Sequence, residues 1–362
     1  MTNQNNKKLF EPVELNRIRL NNRIVMAPMT RSRAIGSIPN DLMVSYYWQR
    51  ATAGLIITEG TSPSPNGLGY ARIPGIYSKE QIDGWKKVTD EVHEKKGKIF
   101  IQLMHVGRVA HAANMPENSR ILAPSAISAN GDMWTDSQGM QSFGMPTAMT
   151  QTDIDNTIQE FVQAAHNAIE AGFDGVEMHS ANGYLLEQFL NPHANTRRDN
   201  YGLSYENRCR FAIDVSKAVA SAIGKEKVGI RLSPYSTFND MPNYDEIFST
   251  YDYLSKELNK IDLLYIHLID YAARNNKDGL RLIDTIRNNF GQILILNGGY
   301  TKKRAEEAVT AGKADLVSFG SPFISNPDLP YKLKNNIPLT LPDTNAFYTP
   351  GQTGYTDYPF SE

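Results

Sequence analysis

Short apolar runs alternate with amphipathic stretches of helical length along nearly the whole chain, and this alternation restricts the possible folds more than any other feature. The apolar runs predict eight buried β-strands, at residues 23–27, 55–58, 99–103, 175–178, 228–232, 263–267, 293–296 and 315–319. The amphipathic stretches predict helices, among them residues 81–95, 152–171, 205–222, 245–258 and 302–311. Eight strand–helix units predict an α/β fold, a closed (β/α)8 TIM barrel; an open, doubly wound sheet is the alternative.

The length and charge of the chain fit a single enzyme-sized barrel. A chain of 362 residues could form two ordinary domains or one large α/β barrel, and length alone does not decide between them. Given the eight strand–helix units, we expect residues 1–362 to form one domain. Lys and Arg (37) nearly balance Asp and Glu (39), which gives no reason to expect a nucleic acid or an anionic membrane as partner. No apolar run approaches the ~20 residues of a membrane-spanning helix. The expected partner is a small molecule, bound by a monomer or a homodimer.

Cysteine usage and the amino terminus favour a cytoplasmic location. The single cysteine, Cys209, excludes an intrachain disulfide and a cysteine-based metal cluster, which fits a reducing compartment. Residues 1–8 are followed by no apolar segment, so we expect a loose tail and not a secretory signal.

Residues 104–150 form a long connection after the third predicted strand. They are rich in Gly, Ser, Ala and Met and show no clear helical pattern. Connections of this length in a compact domain are usually functional. We therefore expect a capping insertion over the barrel mouth.

Three polar residues, His179, Asn182 and Tyr184, follow the fourth predicted strand within residues 174–189. Barrel enzymes place their chemistry at the carboxyl ends of strands. His179 and Asn182 are three residues apart and can donate to one substrate oxygen, which stabilises negative charge developing there. Tyr184 can donate its phenolic proton. The alternative is a satisfied buried histidine, a helix-capping asparagine and a core tyrosine, but the coincidence of all three favours a site.

Glycine-rich loops follow the seventh and eighth predicted strands, at Gly298 and Gly299 and at Gly320 and Ser321. Glycines let backbone amides approach phosphate oxygens, and barrels often bind phosphate at these two loops. Two ordinary turns are the alternative, but a matched pair on neighbouring strands favours a phosphate site.

The segment HSANGYLLEQFLNPHANTRRDNYG, residues 179–202, resembles the substrate-binding signature of the old yellow enzyme family of FMN-dependent ene-reductases. The motifs APMTRSR, EGT, IQLMHVGR, GIRLSP, LNGGY, NPDLP and GYTDYP match in the same order, so the likeness spans about residues 8–360. The resemblance implies a (β/α)8 barrel with FMN as cofactor and NADPH or NADH as reductant. It implies an α,β-unsaturated carbonyl or a nitroalkene as substrate. Thr30, in place of cysteine, indicates the threonine-bearing branch of the family.

The resemblance also implies roles for individual residues. His179 and Asn182 hold the oxygen of the activating group, and Tyr184 protonates the alkene carbon. Arg231 stabilises the negative charge of reduced flavin, a task that suits it because no acidic residue is near it in the sequence. The other flavin contacts are Pro28, Met29, Thr30, Gly60, Gln102, Gly298, Gly299, Gly320 and Ser321. The positions that match substrate-pocket residues are Tyr70, Met104 and Tyr355.

Two positions depart from the family pattern. Ser321 stands where the family usually has an arginine that faces the FMN phosphate, and losing that charge-assisted contact predicts weaker flavin retention. Met104 stands where many relatives have tryptophan, and its flexible side chain predicts a wider or softer pocket wall.

Three alternative functions remain open. The same hydride source can reduce nitrate esters or nitroaromatic compounds. A flavin- or ligand-binding barrel without turnover would keep the same pocket. A metal-assisted barrel lyase would draw its ligands from His105, His111, His179 and His193, but the sequence has no carboxylate–histidine spacing of a metal site, so we expect no metal.

Overall fold

Eight parallel strands form a closed barrel in the computed structural model, which describes residues 7–361. The strands are β1 (Ile24–Met26), β2 (Leu55–Thr61), β3 (Ile99–Leu103), β4 (Gly175–Ser180), β5 (Val228–Leu232), β6 (Tyr265–Ile269), β7 (Ile293–Asn297) and β8 (Leu316–Phe319). Each strand pairs with the next along the chain, and β8 pairs with β1, which closes the barrel. The predicted (β/α)8 barrel is confirmed, and the alternative of an open sheet is wrong.

Helices on the outside connect the strands. They are α1 (Asp41–Gln49), α2 (Lys79–Glu94), α3 (Gln151–Glu170), α4 (Tyr205–Ile223), α5 (Ile247–Ile261), α6 (Lys277–Asn289), α7 (Lys302–Thr310) and α8 (Leu329–Asn335), with shorter helices at Leu185–Leu190 and Ser321–Ser325. Capping boxes start α2, at Ser78 and Gln81, and α3, at Thr150 and Asp153, because each side chain bonds the other residue's backbone amide. Among the described residues, no helix combines the length and the apolar character needed to cross a bilayer.

The side chains inside the barrel change from apolar to polar along the strands. Near the amino ends of β3 and β6, Phe100 and Tyr265 belong to one buried apolar cluster. Two residues further along the same strands stand Gln102 and His267. Residues two apart in a strand point to the same face, so the upper layer of the interior is polar. That layer faces the end of the barrel at which the site is expected.

Two glycines make room for the aromatic layer inside the barrel. A Cβ atom on Gly175 would lie 2.5 Å from the ring of Phe100, and one on Gly229 would lie 2.2 Å from the ring of Tyr265. Any larger residue at either position would therefore displace an aromatic side chain from a closely packed interior.

A short antiparallel hairpin closes the amino-terminal end of the barrel. Its strands are Val13–Leu15 and Ile18–Leu20. Leu15 and Leu20 are buried and belong to the same apolar cluster as the aromatic residues inside the barrel. Among residues 7–361, this hairpin therefore covers the end of the barrel that lies opposite the polar layer.

The amino terminus differs in part from the expected loose tail at residues 1–8. Residues 1–6 lie outside the described part of the chain. Lys8 begins a short turn, Lys8–Phe10, and its backbone amide donates to Glu306 Oε1 at 2.8 Å. The prediction of a loose tail is therefore wrong at Lys8.

The long connection between β3 and α3 contains a second hairpin. Its strands, Asp132–Thr135 and Gly139–Ser142, pair antiparallel, and we name this pair the cap hairpin. Two shorter strands, Leu122–Ala123 and Thr147–Ala148, pair parallel and join the ends of the excursion. Residues of the cap hairpin line the cavity described below, as the predicted capping excursion requires.

Two buried arginines hold the carboxyl-terminal segment against the loop after β1. The guanidinium of Arg31 donates to the carbonyl of Gly354 at 2.7 Å, and that of Arg33 donates to the carbonyl of Ala346 at 2.9 Å. Burial, together with the charge of Arg31, lowers the pKa of Arg33 to about 10, so Arg33 remains charged at neutral pH. Charge-assisted bonds of this kind fix the segment firmly.

Candidate active site

A cavity of about 640 Å³ opens at the carboxyl ends of the barrel strands. Many of the residues predicted for the site line it, namely Pro28, Thr30, Gly60, Tyr70, Gln102, Met104, His179, Asn182, Tyr184 and Arg231. They come from the first five strands and the loops that follow them. The closure of the barrel therefore brings together residues that are far apart in the sequence.

The imidazole of His179 is buried beside the cavity. His179 is 3% exposed, and its Nδ1 atom makes no hydrogen bond with any residue that the structure describes. Burial, together with Arg231 and His267, lowers the pKa of His179 well below its usual range. The ring is therefore neutral and can donate one N–H to a ligand. A satisfied buried histidine, the alternative from the sequence, does not fit this environment.

Asn182 lies in a tight turn after β4. Its φ is 56°, a left-handed conformation that residues other than glycine seldom adopt. Its backbone amide donates to Ser233 Oγ at 2.8 Å, and Asn239 Nδ2 donates to its carbonyl at 2.8 Å. The residue directly before the helix Leu185–Leu190 is Tyr184, so Asn182 does not cap that helix. Its side chain belongs to the cavity wall.

The phenol of Tyr184 completes this side of the cavity. Its hydroxyl group lies 3.3 Å from that of Tyr70, which also lines the cavity. Burial raises the pKa of Tyr184, so the hydroxyl group keeps its proton at neutral pH. A protonated phenol beside a bound ligand can serve as a proton donor.

Arg231 lies at the floor of the cavity. It is 5% exposed, its Nη2 donates to Asn297 Oδ1 at 2.9 Å, and its Nε has no partner within residues 7–361. Burial lowers the pKa of Arg231, whereas the charge of Glu177 raises it. No acidic residue is near Arg231 in the sequence, but Glu177 of the adjacent strand β4 is close enough in the fold for its charge to act on Arg231.

A chain of hydrogen bonds inside the barrel orients Gln102. Gln102 Nε2 donates to Glu177 Oε1 at 2.8 Å, and His267 Nδ1 lies 2.9 Å from Glu177 Oε2. Burial lowers the pKa of His267, so its neutral ring donates from Nδ1 and accepts from Ser318 Oγ, 2.7 Å from Nε2. Because the amide NH₂ of Gln102 points to Glu177, its carbonyl oxygen remains available to accept a bond from a ligand.

The glycine-rich loops lie at the same end of the barrel but outside the cavity lining. Gly298 and Gly299 follow β7 with φ values of 143° and 66°, which favour glycine. Gly320 follows β8, and Ser321 is exposed at the start of a short helix. Met29 packs against the core and does not line the cavity; its Sδ atom would lie 3.7 Å from a Cβ on Gly320.

The prediction that Tyr355 lines the pocket is wrong. Tyr355 is fully buried and stacks on Tyr46, with ring centroids 4.1 Å apart. The guanidinium group of Arg33 lies over the ring of Tyr355, 4.8 Å from its centroid. Tyr348, seven residues earlier in the same carboxyl-terminal segment, lines the cavity instead.

Several residues that line the cavity were not predicted from the sequence. They are Ser32, Ala71, Arg72, Asn130, Gly131, Asp132, Met133, Trp134, Met140, Phe143, Phe238, Asn239, Asp240 and Tyr348. Ten of them belong to the cap hairpin, to the residues directly beside it, or to the loop after β5. The length and the methionine content of the predicted capping insertion were the one signal in the sequence that pointed to this region.

Arg72 makes bonds to three separate segments around the cavity. Its guanidinium donates to the carbonyl of Ser32 at 2.9 Å and to the carbonyl of Tyr348 at 2.9 Å, and it forms an ion pair with Asp136 of the cap hairpin. Trp134 Nε1 donates to the same carboxylate at 3.0 Å. The cap hairpin and the carboxyl-terminal segment are thus connected through one side chain.

Comparison with known proteins gives the class to which this barrel and its cavity belong. The model of the NADH:flavin oxidoreductase / NADH oxidase family matches residues 8–340. The chain is 40% identical to 12-oxophytodienoate reductase 7 of Oryza sativa subsp. japonica over 376 residues, which cover 99% of this chain and 95% of the relative. It is 42% identical to a probable flavin mononucleotide-dependent alkene reductase of Leishmania infantum over 347 residues, or 94% of each protein.

A solved structure of morphinone reductase in complex with tetrahydroNAD superimposes with a TM-score of 0.93 and 41% identity, covering 99% of this chain and 98% of the other. Fold and relatives together define a flavin-dependent (β/α)8 oxidoreductase. The chain belongs to the NADH:flavin oxidoreductase / NADH oxidase family, the old yellow enzyme family that the sequence motifs implied. The expectations of an FMN cofactor, an NAD(P)H reductant and an alkene-reducing enzyme are confirmed.

The residues at the cavity floor fit the FMN ring. Arg231 offers a buried Nε atom without a partner among the described residues, and its positive charge would stabilise negative charge on a reduced flavin ring. Gln102 offers an oriented carbonyl oxygen, and Thr30 offers a hydroxyl group on the cavity wall. Within residues 7–361, no group of three or more His, Cys, Asp or Glu side chains is placed to hold a metal ion.

Proposed function

We propose that this protein reduces the activated double bond of an α,β-unsaturated carbonyl compound or a nitroalkene, with His179, Asn182 and Tyr184 as the residues that act on the substrate. The observation that carries the proposal is that these three residues line one cavity together with Arg231 and Gln102. Bound FMN, reduced by NADPH or NADH, supplies the hydride. The remaining tasks fall to side chains of this chain.

His179 and Asn182 hold the substrate oxygen. The neutral imidazole of His179 and the side-chain amide of Asn182 are both hydrogen-bond donors on the cavity wall. Two donors on one oxygen withdraw electrons from the conjugated double bond and stabilise the negative charge that reaches the oxygen during reduction. The burial of His179 strengthens its bond, because a hydrogen bond is stronger in the protein interior than in water.

Tyr184 supplies the proton that completes the reduction. Its pKa is raised by burial, so the proton is present at neutral pH. The carbon next to the activating group becomes strongly basic once the other carbon has received hydride, and a phenol can then protonate it. Tyr70, whose hydroxyl group is 3.3 Å away, orients this proton donor and contributes to the substrate wall with Met104.

Residues at the floor of the cavity would hold the cofactor ring. Pro28, Thr30, Gly60, Gln102 and Arg231 would hold the ring, because all of them line the cavity. The positive charge of Arg231 favours the reduced, anionic ring. We assign the phosphate arm to the loops after β7 and β8, which contain Gly298, Gly299, Gly320 and Ser321, with Met29 packed beside them.

The visible spectrum of the purified protein tests the proposal most directly. We expect a yellow protein whose flavin bleaches when NADPH or NADH is added without oxygen, and regains colour when 2-cyclohexenone follows. A bound flavin that neither nucleotide reduces would instead favour a flavin-binding barrel without turnover. Reoxidation by a nitrate ester or a nitroaromatic compound but not by 2-cyclohexenone would assign the other substrate class.

A further inference from the structure

A buried carboxyl group beside the site has no part in the chemistry proposed above. Glu187 is 4% exposed and accepts three hydrogen bonds. Oε2 accepts from the backbone amide of Gly183 at 2.6 Å, and Oε1 accepts from Ser233 Oγ at 2.7 Å and from the hydroxyl group of Tyr251 at 2.8 Å. A buried charge costs free energy unless it is well hydrogen-bonded, and these three bonds stabilise the carboxylate of Glu187.

Two of these bonds support the backbone of the turn at Asn182 and Gly183. A serine hydroxyl group has one hydrogen, and Ser233 gives it to Glu187. Ser233 Oγ therefore accepts a hydrogen bond from the backbone amide of Asn182, at 2.8 Å. The carboxylate thereby sets the direction of the bond that Ser233 makes to Asn182, and it bonds the next amide, of Gly183, itself.

The turn at Asn182 needs this support because its backbone is strained. Asn182 has a φ of 56° and Gly183 a φ of 75°, so two successive residues are left-handed. For asparagine this conformation costs free energy and persists only where the surroundings impose it. Here the amide of Asn182 is bonded to Ser233, its carbonyl to Asn239, and the following amide to Glu187.

We propose that Glu187, acting through Ser233 and the amide of Gly183, is a positioning residue that fixes the turn from which Asn182 presents its side chain to the substrate oxygen. Glu187 is not among the residues that line the cavity, so its effect on the substrate would be indirect. This inference rests on the proposed role of Asn182 in holding that oxygen.

The groups around Glu187 favour its ionised form. All three of its partners donate to it in this arrangement, so protonation of the carboxyl group would require one of the two hydroxyl groups to turn from donor to acceptor. Burial raises the pKa of Glu187 to about 7. The titratable groups that face it are Tyr251 of α5 and Tyr244 of the loop before it, with Arg208 of α4 behind Tyr244, 5.7 Å from its ring centroid. The turn at Asn182 should therefore hold less firmly as the pH falls below about 7.

Three substitutions in the flavin-loaded enzyme test the role of Glu187. Glu187→Gln places an NH₂ group among donors, and Ser233→Ala removes the acceptor for the amide of Asn182. Tyr251→Phe is the matched control, since it removes one donor from Glu187 and leaves the turn untouched. The dissociation constant of 2-cyclohexenone, measured by calorimetry on the oxidised enzyme, should rise about tenfold in the first two variants, and less than about threefold in the control.

Hydrogen exchange and pH dependence separate positioning from a general structural role. The amides of Asn182 and Gly183 should exchange faster in Glu187→Gln and Ser233→Ala than in Tyr251→Phe. In the wild type the dissociation constant should rise as the pH falls through about 7, and Glu187→Gln should abolish this dependence. Equal behaviour of all three variants in both measurements would overturn the inference, and Ser233→Ala decides it should Glu187→Gln fail to fold. Bleaching of the flavin by NADPH or NADH, tested alongside, reports on the proposed function separately.

Discussion

The rings of His179 and Tyr184 pack edge to face, with centroids 4.8 Å apart and planes inclined by 75°. This contact packs the residue proposed to hold the substrate oxygen directly against the residue proposed to donate the proton. We therefore expect the position of the oxygen to determine which carbon lies within reach of the phenol. We expect the geometry of the reaction to depend on this contact between His179 and Tyr184 as well as on the hydrogen bonds that each of them makes.

Replacing Tyr184 with Phe removes the phenolic proton and keeps the ring against His179. We expect alkene reduction to slow by about 10² to 10⁴-fold, the usual contribution of a general acid. Flavin reduction by NADPH or NADH should change little. Anaerobic stopped-flow measurements of the two half-reactions distinguish these effects, with Tyr70→Phe as the matched loss of a neighbouring hydroxyl group. Equal slowing of both half-reactions by Tyr184→Phe would mean that the tyrosine is only structural.

Replacing Arg72 with Gln should loosen the cap hairpin and the segment that carries Tyr348. The guanidinium bonds the carbonyl of Tyr348 and pairs with Asp136, so its loss frees both walls. We expect a rise of about tenfold in the KM for bulky enones, equivalent to one or two charge-assisted hydrogen bonds. Faster hydrogen exchange in Asp132–Thr135 should accompany it.

Asp136→Asn is the control for Arg72, because it removes the ion pair and keeps the bonds of Arg72 to backbone carbonyls. An ion pair with one exposed partner contributes little, so the KM should stay within about threefold of the wild-type value. A larger rise in KM in Asp136→Asn than in Arg72→Gln would show that the carboxylate of Asp136 and its bond with Trp134, and not Arg72, hold the cap hairpin in place.

Replacing Ser321 with Arg should tighten FMN binding. Ser321 is exposed directly after β8, so an arginine at this position has room to reach an anionic phosphate. We expect the dissociation constant of FMN to fall about tenfold or more, the effect of one charge-assisted contact. Isothermal titration of flavin-free protein measures it. Ser221→Arg adds the same charge at an exposed position near the end of α4, and an equal gain there would show that net charge alone is responsible.

The buried ring of His105 should make folding stability fall in acid. Burial lowers the pKa of His105 to about 3, whereas histidine in an unfolded chain titrates near 6.5. The unfolded state therefore gains a proton that the folded state does not, and stability present above pH 6.5 is lost as the pH falls towards 3. Between pH 7 and pH 5 this group should lower the free energy of unfolding by about 2 kcal/mol.

His105→Asn tests this prediction, because asparagine can still accept from the amide of Gly107 but does not titrate. Its free energy of unfolding, measured by chemical denaturation, should fall about 2 kcal/mol less than that of the wild type between pH 7 and pH 5. His111→Asn is the control, since His111 accepts a similar bond from Ala113 at a half-buried position. Parallel declines in wild type and His105→Asn would contradict the prediction.

The barrel and its central residues could be predicted because both are encoded locally. Each strand is a short apolar run, and the residues that follow it reach the mouth by the geometry of a parallel barrel. His179, Asn182 and Tyr184 also lie within six residues of one another, so a single motif contained them. Their gathering in one cavity follows from these two facts.

The relationships that the sequence did not reveal join residues distant along the chain. Glu177 faces Arg231 only because β4 and β5 pair with His179 opposite Arg231. Tyr348 and Tyr355 lie in the same irregular segment, where no periodicity indicates which ring turns to the cavity and which to the core. Their directions are set by bonds from Arg31 and Arg33 to backbone carbonyls, which no local pattern records.

The hairpin with Leu15 and Leu20 that plugs the bottom of the barrel has a kinetic consequence. With that end covered, we expect the nucleotide and the alkene to reach the cofactor through the same opening and to use the same place in the cavity, so that one leaves before the other binds. Double-reciprocal plots of initial rate against one reactant, at several fixed concentrations of the other, should therefore be parallel. An excess of either reactant should inhibit by occupying the place of the other.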